Sequence, residues 1–416
     1  MKRLFMLFLS ALLLTVGLSP MTGHAAEPPA IQAESYIMVD AVTGKVLLAE
    51  EADLALPPAS MTKLMTLYLV RQQIEQKKLS WNQTVKPSAK VLKLAKTEGI
   101  ARLPIRKTTY TIRELYDAAL IKSANDAAVL LAEVMAGTEM QFVEQMNETA
   151  ASLGMKDTEY ANASGLDAVD ATLPGTNLMT AMDIALLIIR YIQEYPDVLD
   201  VTKRSAITIN GEKVENSNKM LTRQPYAYSG MRGMKTGTTD LAGYCFASVA
   251  TRGNLTLVSV VMRTTSDKAR FTETKKLLDY GFASFEPLTY YGKGEQIKRV
   301  LPIKGAKQAR YDVVTKTPLY VTVSTNKSDQ RPPVFQFSKE QAPLKRGEAI
   351  GTVQVEDEGL YLPGFSVPHA VLYSAETIKL ASFQTRLFRA ISAWSEKISQ
   401  AIHQPTLVNR QGDSVK

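Results

Sequence analysis

Apolar and polar positions along the chain follow two different periods, and the period changes from one region to the next. Between residues 60 and 192, apolar side chains recur every three or four positions, as on an amphipathic helix. Around residues 234–262, and again from 319 onward, short runs alternate between apolar and polar, as half-buried strands do. Strand-rich and helix-rich stretches in one chain predict an α+β protein.

The first region predicts strands at both ends and helices between them. Residues 36–40 and 45–50, joined through Gly44, predict a hairpin. The predicted helices cover residues 60–76, 113–121, 126–135, 140–153 and 179–192. Strands are predicted over 234–238, 243–251 and 255–262, followed by a helix over 268–280. We therefore expect one domain over residues 27–286.

After residue 286 the pattern changes to short strands and then to one last helix. The predicted strands cover residues 319–323, 334–337, 349–355 and 370–373, separated by Pro, Gly and charged turns. They predict a small β-rich domain over residues 287–376. A helical period returns over 377–403, and residues 404–416 form a polar tail.

The N-terminal residues predict an export signal, and export limits the kinds of partner that this chain can meet. Lys2 and Arg3 precede an apolar run over residues 4–16, and the small residues Gly23, Ala25 and Ala26 follow, the pattern of a secretory signal peptide over 1–26. A membrane anchor is the alternative, but the run is short for a span of about 20 residues. The net charge of +8 indicates an anionic environment. For an exported protein, in the periplasm or on the outer face of the cytoplasmic membrane, a wall polymer or membrane fits that charge and nucleic acid does not.

Histidine and cysteine content excludes several chemistries. Of three histidines, His24, His369 and His403, none lies between residues 25 and 368. Most of the chain therefore cannot hold a Ser-His-Asp site, a Cys-His site or a histidine-ligated zinc. The single cysteine, Cys245, lies in an apolar run and is expected to be buried and inert. Asp167 and Asp170 are expected to cap a loop, and we expect no metal and no cofactor.

Ser60 and Lys63 form the first candidate catalytic pair. Pro57 and Pro58 precede them, so Ser60 is expected at the start of a helix with Lys63 one turn later on the same face. Without histidine, a serine nucleophile needs another base, and a buried lysine with a lowered pKa can serve. The alternative is that Ser60 only caps the helix and Lys63 is solvated.

Two further segments carry polar groups suited to the same site. Ser123 and Asn125 lie between predicted helices, where a hydroxyl could pass a proton and an amide could bind a substrate backbone; helix capping is the alternative. The run 235–239 places Lys235 beside hydroxyls and a glycine at the start of the strand region. Such a strand edge could bind an oxyanion, although a turn with an exposed lysine is the alternative.

Taken together and in this order, S-x-x-K, S-x-N and K-T-G resemble the signature of serine β-lactamases and penicillin-binding proteins. Further segments, 162–167, 233–240 and 270–278, are similar to the low-molecular-mass penicillin-binding proteins that are serine D-alanyl-D-alanine carboxypeptidases. The β-rich domain and basic terminal helix also resemble that family. The resemblance implies a penicillin-binding/β-lactamase-like transpeptidase domain at the N-terminal side.

The resemblance also implies a role for each candidate residue. Ser60 would be the acylated nucleophile, Lys63 its general base and Ser123 the relay of the proton to the leaving amine. The implied substrate-binding residues are Asn125, Lys235, Thr236, Gly237, Thr238 and Arg270, with Lys235 supplying a positive field and Arg270 anchoring the terminal carboxylate. Ala124 and Thr238 depart from family members that have glycine and histidine there.

The implied activity is removal of the C-terminal D-alanine from peptidoglycan stem peptides through a serine acyl-enzyme, with β-lactams as covalent inhibitors. A serine β-lactamase is the alternative, but class A β-lactamases deacylate with a glutamate, and none lies between Glu159 and Glu194. An inert wall-binding protein is a second alternative, which the intact motifs oppose.

Residues 378–401 predict a helix that lies on a membrane surface. Their apolar side chains form one stripe, and the segment carries four basic residues and one acidic residue. The charges interrupt it too often for a spanning helix. The alternative is that the stripe packs on the β-rich domain or on another subunit. The apolar stripe consists of Leu380, Phe383, Leu387, Phe388, Ile391, Trp394 and Ile398.

Overall fold

The protein is described by a computed structural model covering residues 27–103, 108–209, 211–299, 303–308, 311–326 and 330–403. The predicted signal peptide and polar tail lie outside the described residues. The chain divides into two compact units. The first extends to Leu288 and includes Thr322–Gln330 and Asp357–Ser366; the rest forms the second. A single boundary at residue 286 does not anticipate these two later segments.

The first unit combines an antiparallel sheet with many helices. Its elements in chain order are β1 (Ser35–Asp40), β2 (Val46–Glu50), a 3₁₀ turn (Ala59–Thr62), α1 (Lys63–Glu75), β3 (Thr84–Val85), α2 (Ala89–Leu94), β4 (Tyr110–Thr111), α3 (Ile112–Asp117), a π-helical turn (Ala118–Lys122), α4 (Asn125–Ala136), α5 (Glu139–Leu153), α6 (Ala181–Glu194), α7 (Val198–Thr202), β5 (Ala206–Ile209), β6 (Glu212–Glu215), β7 (Met231–Thr239), β8 (Gly243–Arg252), β9 (Leu255–Thr264) and α8 (Asp267–Ser284).

The main sheet has the strand order β2-β1-β9-β8-β7, which places β7 at one edge. Successive residues of β1 enter different cores because strand side chains alternate between faces. Ile37 joins the core formed with the helices, whereas Met38 joins a second core together with Phe271 of α8. Both faces of the sheet are therefore covered.

Helix α6 lies in the centre of the helical core. Nine of its 14 residues are buried, including Ile184, Leu187 and Tyr191. Such a wide apolar face packs against the core of its domain. Its burial explains why the sequence pattern predicted it to within two residues at each end.

The second part of the chain contains mainly strands. Its elements are β10 (Phe285–Tyr291), β11 (Gln296–Arg299), β12 (Tyr311–Thr315), β13 (Leu319–Ser324), β14 (Pro333–Phe337), β15 (Ala349–Val355), β16 (His369–Ser374) and α9 (Phe383–His403). The sheet of the second unit has the order β11-β12-β16-β15-β14, and β10 pairs with β13.

The terminal helix begins later than the sequence predicts. Ile378 is fully buried and exchanges backbone hydrogen bonds with Leu344, and the Ala381 amide donates to the Gly305 carbonyl. These contacts require extended backbone, so the helix starts only at Phe383. The prediction of helix from 377 was wrong by about two turns.

The apolar stripe of α9 is exposed to solvent. Phe388 and Trp394 keep 73% and 68% of their accessible surface, although large aromatic side chains are usually buried. Among the helices that the structure describes, none is both long enough and apolar enough to cross a bilayer.

Candidate active site

Ser60 lies in the 3₁₀ turn that precedes α1. Ala59, just before it, has a φ of 47°, a left-handed conformation that a non-glycine residue adopts at a cost. Pro58 occupies the N-cap of this turn and Thr62 the N-cap of α1. Ser60 is therefore not the helix cap of the alternative interpretation, and its side chain lines a cleft.

Lys63 is fully buried at the first position of α1, directly behind Ser60. Its Nζ lies 2.9 Å from Ser60 Oγ, 2.7 Å from Asn125 Oδ1 and 2.6 Å from the Ser164 carbonyl oxygen. Burial lowers the pKa of Lys63 well below its ordinary value, and the charge of Lys235 lowers it further. The opposing influence of Asp126 is smaller. This amine is thus suited to act as a base.

Ser123 ends the π-helical turn in a left-handed conformation, with a φ of 66°. Such backbone strain in a residue other than glycine is frequent at functional sites. The N-cap of α4 is Ala124, so helix capping does not explain either polar neighbour. Asn125 opens α4, donates from Nδ2 to the Ala101 carbonyl at 2.9 Å and presents Oδ1 to Lys63.

Lys235 lies on the edge strand β7 and is buried like Lys63. Its Nζ donates to Ser123 Oγ at 2.8 Å and to the Thr236 carbonyl at 2.9 Å. Burial, and then the charge of Arg270, lowers the pKa of Lys235 to about 7. The positive charge expected at this position is therefore titratable near neutral pH, which the sequence pattern did not indicate.

The remaining predicted residues lie along β7 and on α8. Gly237 packs so closely against the Ser60 turn that a methyl group there would come within 2.5 Å of the Pro58 carbonyl oxygen. Arg270 donates from Nη1 to the Gly237 carbonyl at 3.1 Å and to Thr238 Oγ1 at 2.6 Å, and its Nη2 pairs with Asp267. The guanidinium is thus held against the edge strand.

One cleft of about 750 Å³ collects most of these groups. Lys63 and Lys235 do not line the cleft, but each is hydrogen-bonded to a serine hydroxyl of a residue that does. The structure therefore brings together all of the segments that the sequence singled out. The predicted residues lining the cleft are Ser60, Ser123, Asn125, Thr236, Thr238 and Arg270.

Sequence reasoning missed three polar groups of this site. The Ser164 carbonyl accepts from Lys63, and Ser217 Oγ accepts from Thr236 Oγ1 at 2.7 Å. Asp167, expected to cap a loop, accepts from the Leu241 amide with its Oδ2 at 3.2 Å and also lines the cleft, as Asp170 does. Ser164 and Asp167 stand in the segment 162–167 that resembles the family, which was the available signal. Ser217 has no comparable signal.

Other residues of interest lie outside this chemistry. Cys245 is a buried free thiol whose pKa burial raises to about 11, so it stays protonated and unreactive. His369 is exposed at the start of β16. Within the described ranges, no cluster of three or more His, Cys, Asp or Glu side chains could hold a metal.

Chemically, the cleft holds a hydroxyl beside an amine of lowered pKa, a second hydroxyl beside another lysine, and a guanidinium held against the edge strand. This is the arrangement of a covalent nucleophile activated by an adjacent base. Arginine suits a carboxylate because its donors form a planar fork.

Comparison with known proteins gives the same result for both parts of the chain. Residues 22–266 match the family model described as D-alanyl-D-alanine carboxypeptidase, and residues 285–379 match that of the penicillin-binding protein 5 C-terminal domain. The chain is similar to the D-alanyl-D-alanine carboxypeptidase DacC of Escherichia coli K12, with 30% identity over 88% of this chain and 89% of the relative.

Solved structures are similar over much of the chain. Penicillin-binding protein 3 of Streptococcus pneumoniae superposes with a TM-score of 0.75 and 29% identity, covering 84% of this chain and all of that one. Penicillin-binding protein D2 of Listeria monocytogenes in its cefotaxime-bound form gives a TM-score of 0.56 and 32% identity, covering 62% of this chain and all of that one. The two-domain α+β prediction is thereby confirmed.

Proposed function

The chain belongs to the family of serine-type D-alanyl-D-alanine carboxypeptidases, low-molecular-mass penicillin-binding proteins of cell-wall metabolism, and from this premise we propose that Ser60 is its acylated nucleophile. The family membership confirms the activity class expected from the sequence. The contact that carries the residue assignment is that between Lys63 Nζ and Ser60 Oγ, at 2.9 Å.

The proposed reaction has two halves. Ser60 Oγ attacks the carbonyl of the terminal D-alanyl-D-alanine bond while Lys63 accepts its proton. Ser123, bonded to Lys235, passes a proton to the amine of the departing D-alanine, and an ester on Ser60 remains. Water then hydrolyses the ester, which frees the shortened peptide and restores Ser60. Splitting one difficult step into two easier ones is the benefit of covalent catalysis.

Substrate binding is proposed to use the edge strand and Arg270. An edge strand presents backbone groups to which an extended peptide can add as a further strand. The amides of Ser60 and Thr238 would hold the oxyanion, as the family resemblance implies. Arg270, held against Gly237 and Thr238, would bind the terminal carboxylate together with the hydroxyls of Thr236 and Thr238.

β-Lactams are proposed to acylate the same serine, because a solved relative of this chain is a cefotaxime-bound penicillin-binding protein. The proposed substrate is the stem peptide of peptidoglycan. Intact-mass measurement with benzylpenicillin tests both points, followed by assay of D-alanine release from a pentapeptide. We expect one stable adduct in the wild-type chain and none in Ser60→Ala, whose fold should be unchanged.

Two outcomes would contradict this proposal. Labelling that persists in Ser60→Ala would exclude Ser60 as the nucleophile. An adduct that turns over within seconds would favour the β-lactamase alternative, because a β-lactamase must hydrolyse its ester rapidly.

The exported location and the membrane partner are part of the same proposal. The signal-peptide pattern at 1–26 supports export to the periplasm or the outer face of the cytoplasmic membrane. The exposed apolar stripe of α9, with Phe388 and Trp394, supports binding to a membrane surface in the headgroup region. Packing of the stripe on the β-rich domain, one alternative considered for this segment, would have left these side chains buried; packing on another subunit is the other alternative. The proposed domain limits stay 27–286 and 287–376.

A further inference from the structure

The three contacts of Lys63 Nζ have a stereochemical consequence. A neutral amine carries two N–H donors and one lone pair. Asn125 Oδ1 and the Ser164 carbonyl can only accept, and they lie 2.7 Å and 2.6 Å from Nζ. Both N–H groups are therefore used, and the lone pair is left facing Ser60 Oγ at 2.9 Å. The aim of the base depends on where the Ser164 carbonyl is held.

The Ser164 carbonyl lies on a loop, and a buried asparagine fastens that loop to the catalytic turn. Asn177 accepts with Oδ1 from the amides of Ala161 and Asn162, at 2.7 Å and 2.9 Å. Its Nδ2 donates to the Asn162 carbonyl at 3.0 Å and to Thr62 Oγ1 at 2.8 Å. Thr62 is the residue before Lys63, so one saturated side chain joins the loop to the turn that carries both catalytic groups.

Asn162 continues the connection from Asn177 to the carbonyl itself. Its Oδ1 accepts from the amides of Ser164 and Gly165, at 3.2 Å and 2.7 Å. Gly165 has a φ of +80°, and a Cβ there would lie 1.9 Å from the Ala59 carbonyl oxygen. The loop is thus packed against the nucleophile turn with no room for another side chain, and a small displacement would move the carbonyl away from Lys63.

We propose that Asn177, acting through Asn162, is a positioning residue that holds the Ser164 carbonyl and so directs the lone pair of Lys63 at Ser60. This inference rests on the proposed function of Ser60 and Lys63. Asn177 contacts neither of them and does not line the cleft. Its role is to fix the geometry of a base, which is a different role from stabilising the fold alone.

The proposal predicts a change in the pH profile of acylation. Removing the Asn177 side chain should loosen the loop and admit water to Lys63, whose pKa is lowered chiefly by burial. The charged groups that act on it are Lys235 on β7 and Asp126 on α4, and neither is altered. The pKa of Lys63 should therefore rise, and the acid limb of the profile should move to higher pH. The plateau above the limb should also fall, because the lone pair is no longer aimed.

The experiment measures the rate constant of acylation by benzylpenicillin against pH for the full chain, Asn177→Ala and a matched control. Asn147→Ala is that control, because Asn147 also makes two hydrogen bonds to a loop backbone, at Tyr160. We expect Asn177→Ala to lower the plateau at least about tenfold, since small misplacements of a reacting group cost this much or more. We expect Asn147→Ala to keep the wild-type limb and plateau.

A second variant covers the case in which Asn177→Ala does not fold. Asn177→Asp keeps an oxygen for the Ala161 and Asn162 amides but has no N–H to donate to the Asn162 carbonyl, which can only accept. The new carboxylate charge can shift the acid limb of the pH profile. On the plateau Lys63 is neutral in both the wild type and the variant, so a lower plateau reports a change in geometry. If every variant that folds follows the wild-type pH profile, the inference is wrong and the proposed function stands. If the wild-type chain forms no adduct, the proposed function fails and takes this inference with it.

Discussion

The catalytic cleft and the terminal helix α9 depart from the usual sorting of side chains in opposite directions. In the cleft, two lysines are fully buried although lysine is almost never buried without a partner. On α9, large aromatic side chains are exposed although such residues usually form cores. Oxygen acceptors at hydrogen-bonding distance offset the cost of burying Lys63 and Lys235, whereas Phe388 and Trp394 remain exposed to solvent.

The difference indicates two kinds of functional site. The buried lysines have their hydrogen-bond acceptors within the chain, and what burial changes is their pKa. The stripe of α9 is not covered by any of the residues that the structure describes, and the membrane surface proposed above would cover it. Isosteric substitutions of the cleft residues should therefore change the rate of the reaction. Substitutions on α9 should change only the affinity of the chain for an external surface.

The largest effect is expected from Lys63→Met, which keeps the length of the side chain and removes the base. General-base catalysis typically contributes about 10²–10⁴-fold, so acylation by benzylpenicillin should fall at least about a hundredfold. Lys78→Met, at an exposed position, is the matched control and should react like the wild type. A Lys63→Met chain that acylates within tenfold of the wild-type rate would show that the buried amine is not the base.

A smaller effect is expected from changing the stripe of α9. Trp394→Glu should weaken binding to vesicles that contain anionic lipid by at least about tenfold, because burying one large apolar side chain contributes about 1.5–3 kcal/mol. D-Alanine release from a small peptide should not change. Met140→Glu, at a side chain of α5 that is 61% exposed, controls for the loss of any surface apolar group.

Truncation after Ser382 sharpens the same test. This cut removes the helix, together with the hydrogen bonds from Arg389 to the Ala306 and Lys307 carbonyls, and keeps the buried backbone contacts of Ile378 and Ala381. The shortened chain should leave the membrane fraction with its peptide activity intact. Continued membrane association of this chain would mean that α9 is not the binding element.

Periodicity was sufficient for most of the fold. Helices α4, α5 and α6 were predicted to within two residues at each end, and so were β8 and β9, because each buries a continuous apolar face. The sequence did not reveal short elements such as β5 and β6, in which four residues carry too little pattern.

Motif spacing likewise predicted which residues lie close together, but it predicted only part of their geometry. The pairing of Lys63 with Ser60 follows from helical spacing, since three residues make about one turn. The left-handed backbone of Ser123 and the contact of Thr236 with Ser217 come from long-range packing. Lowered lysine pKa values also depend on burial, which short motifs do not encode.

The smallest effect is expected in the share of the pH dependence of stability that comes from the two buried lysines. Lys235 has a pKa of about 7 in the folded chain, against about 10.4 when unfolded. Between these values Lys235 binds more protons in the unfolded chain, so its contribution to stability should rise with pH over this window and stay constant below it. Lys63, whose pKa is lowered in the same direction, adds to the rise.

Thermal melts of Lys235→Met across the same window measure its share of that rise. Each 1 kcal/mol corresponds to roughly 2–4 °C in a domain of this size, so the wild-type Tm should climb by a few degrees between about pH 7 and pH 9. The climb should be smaller in Lys235→Met and unchanged in Lys78→Met. If the Lys235→Met slope equals that of the wild type, Lys235 keeps its proton through this range. Lys235 would then stay positively charged in the cleft, and the two buried lysines would differ in protonation state.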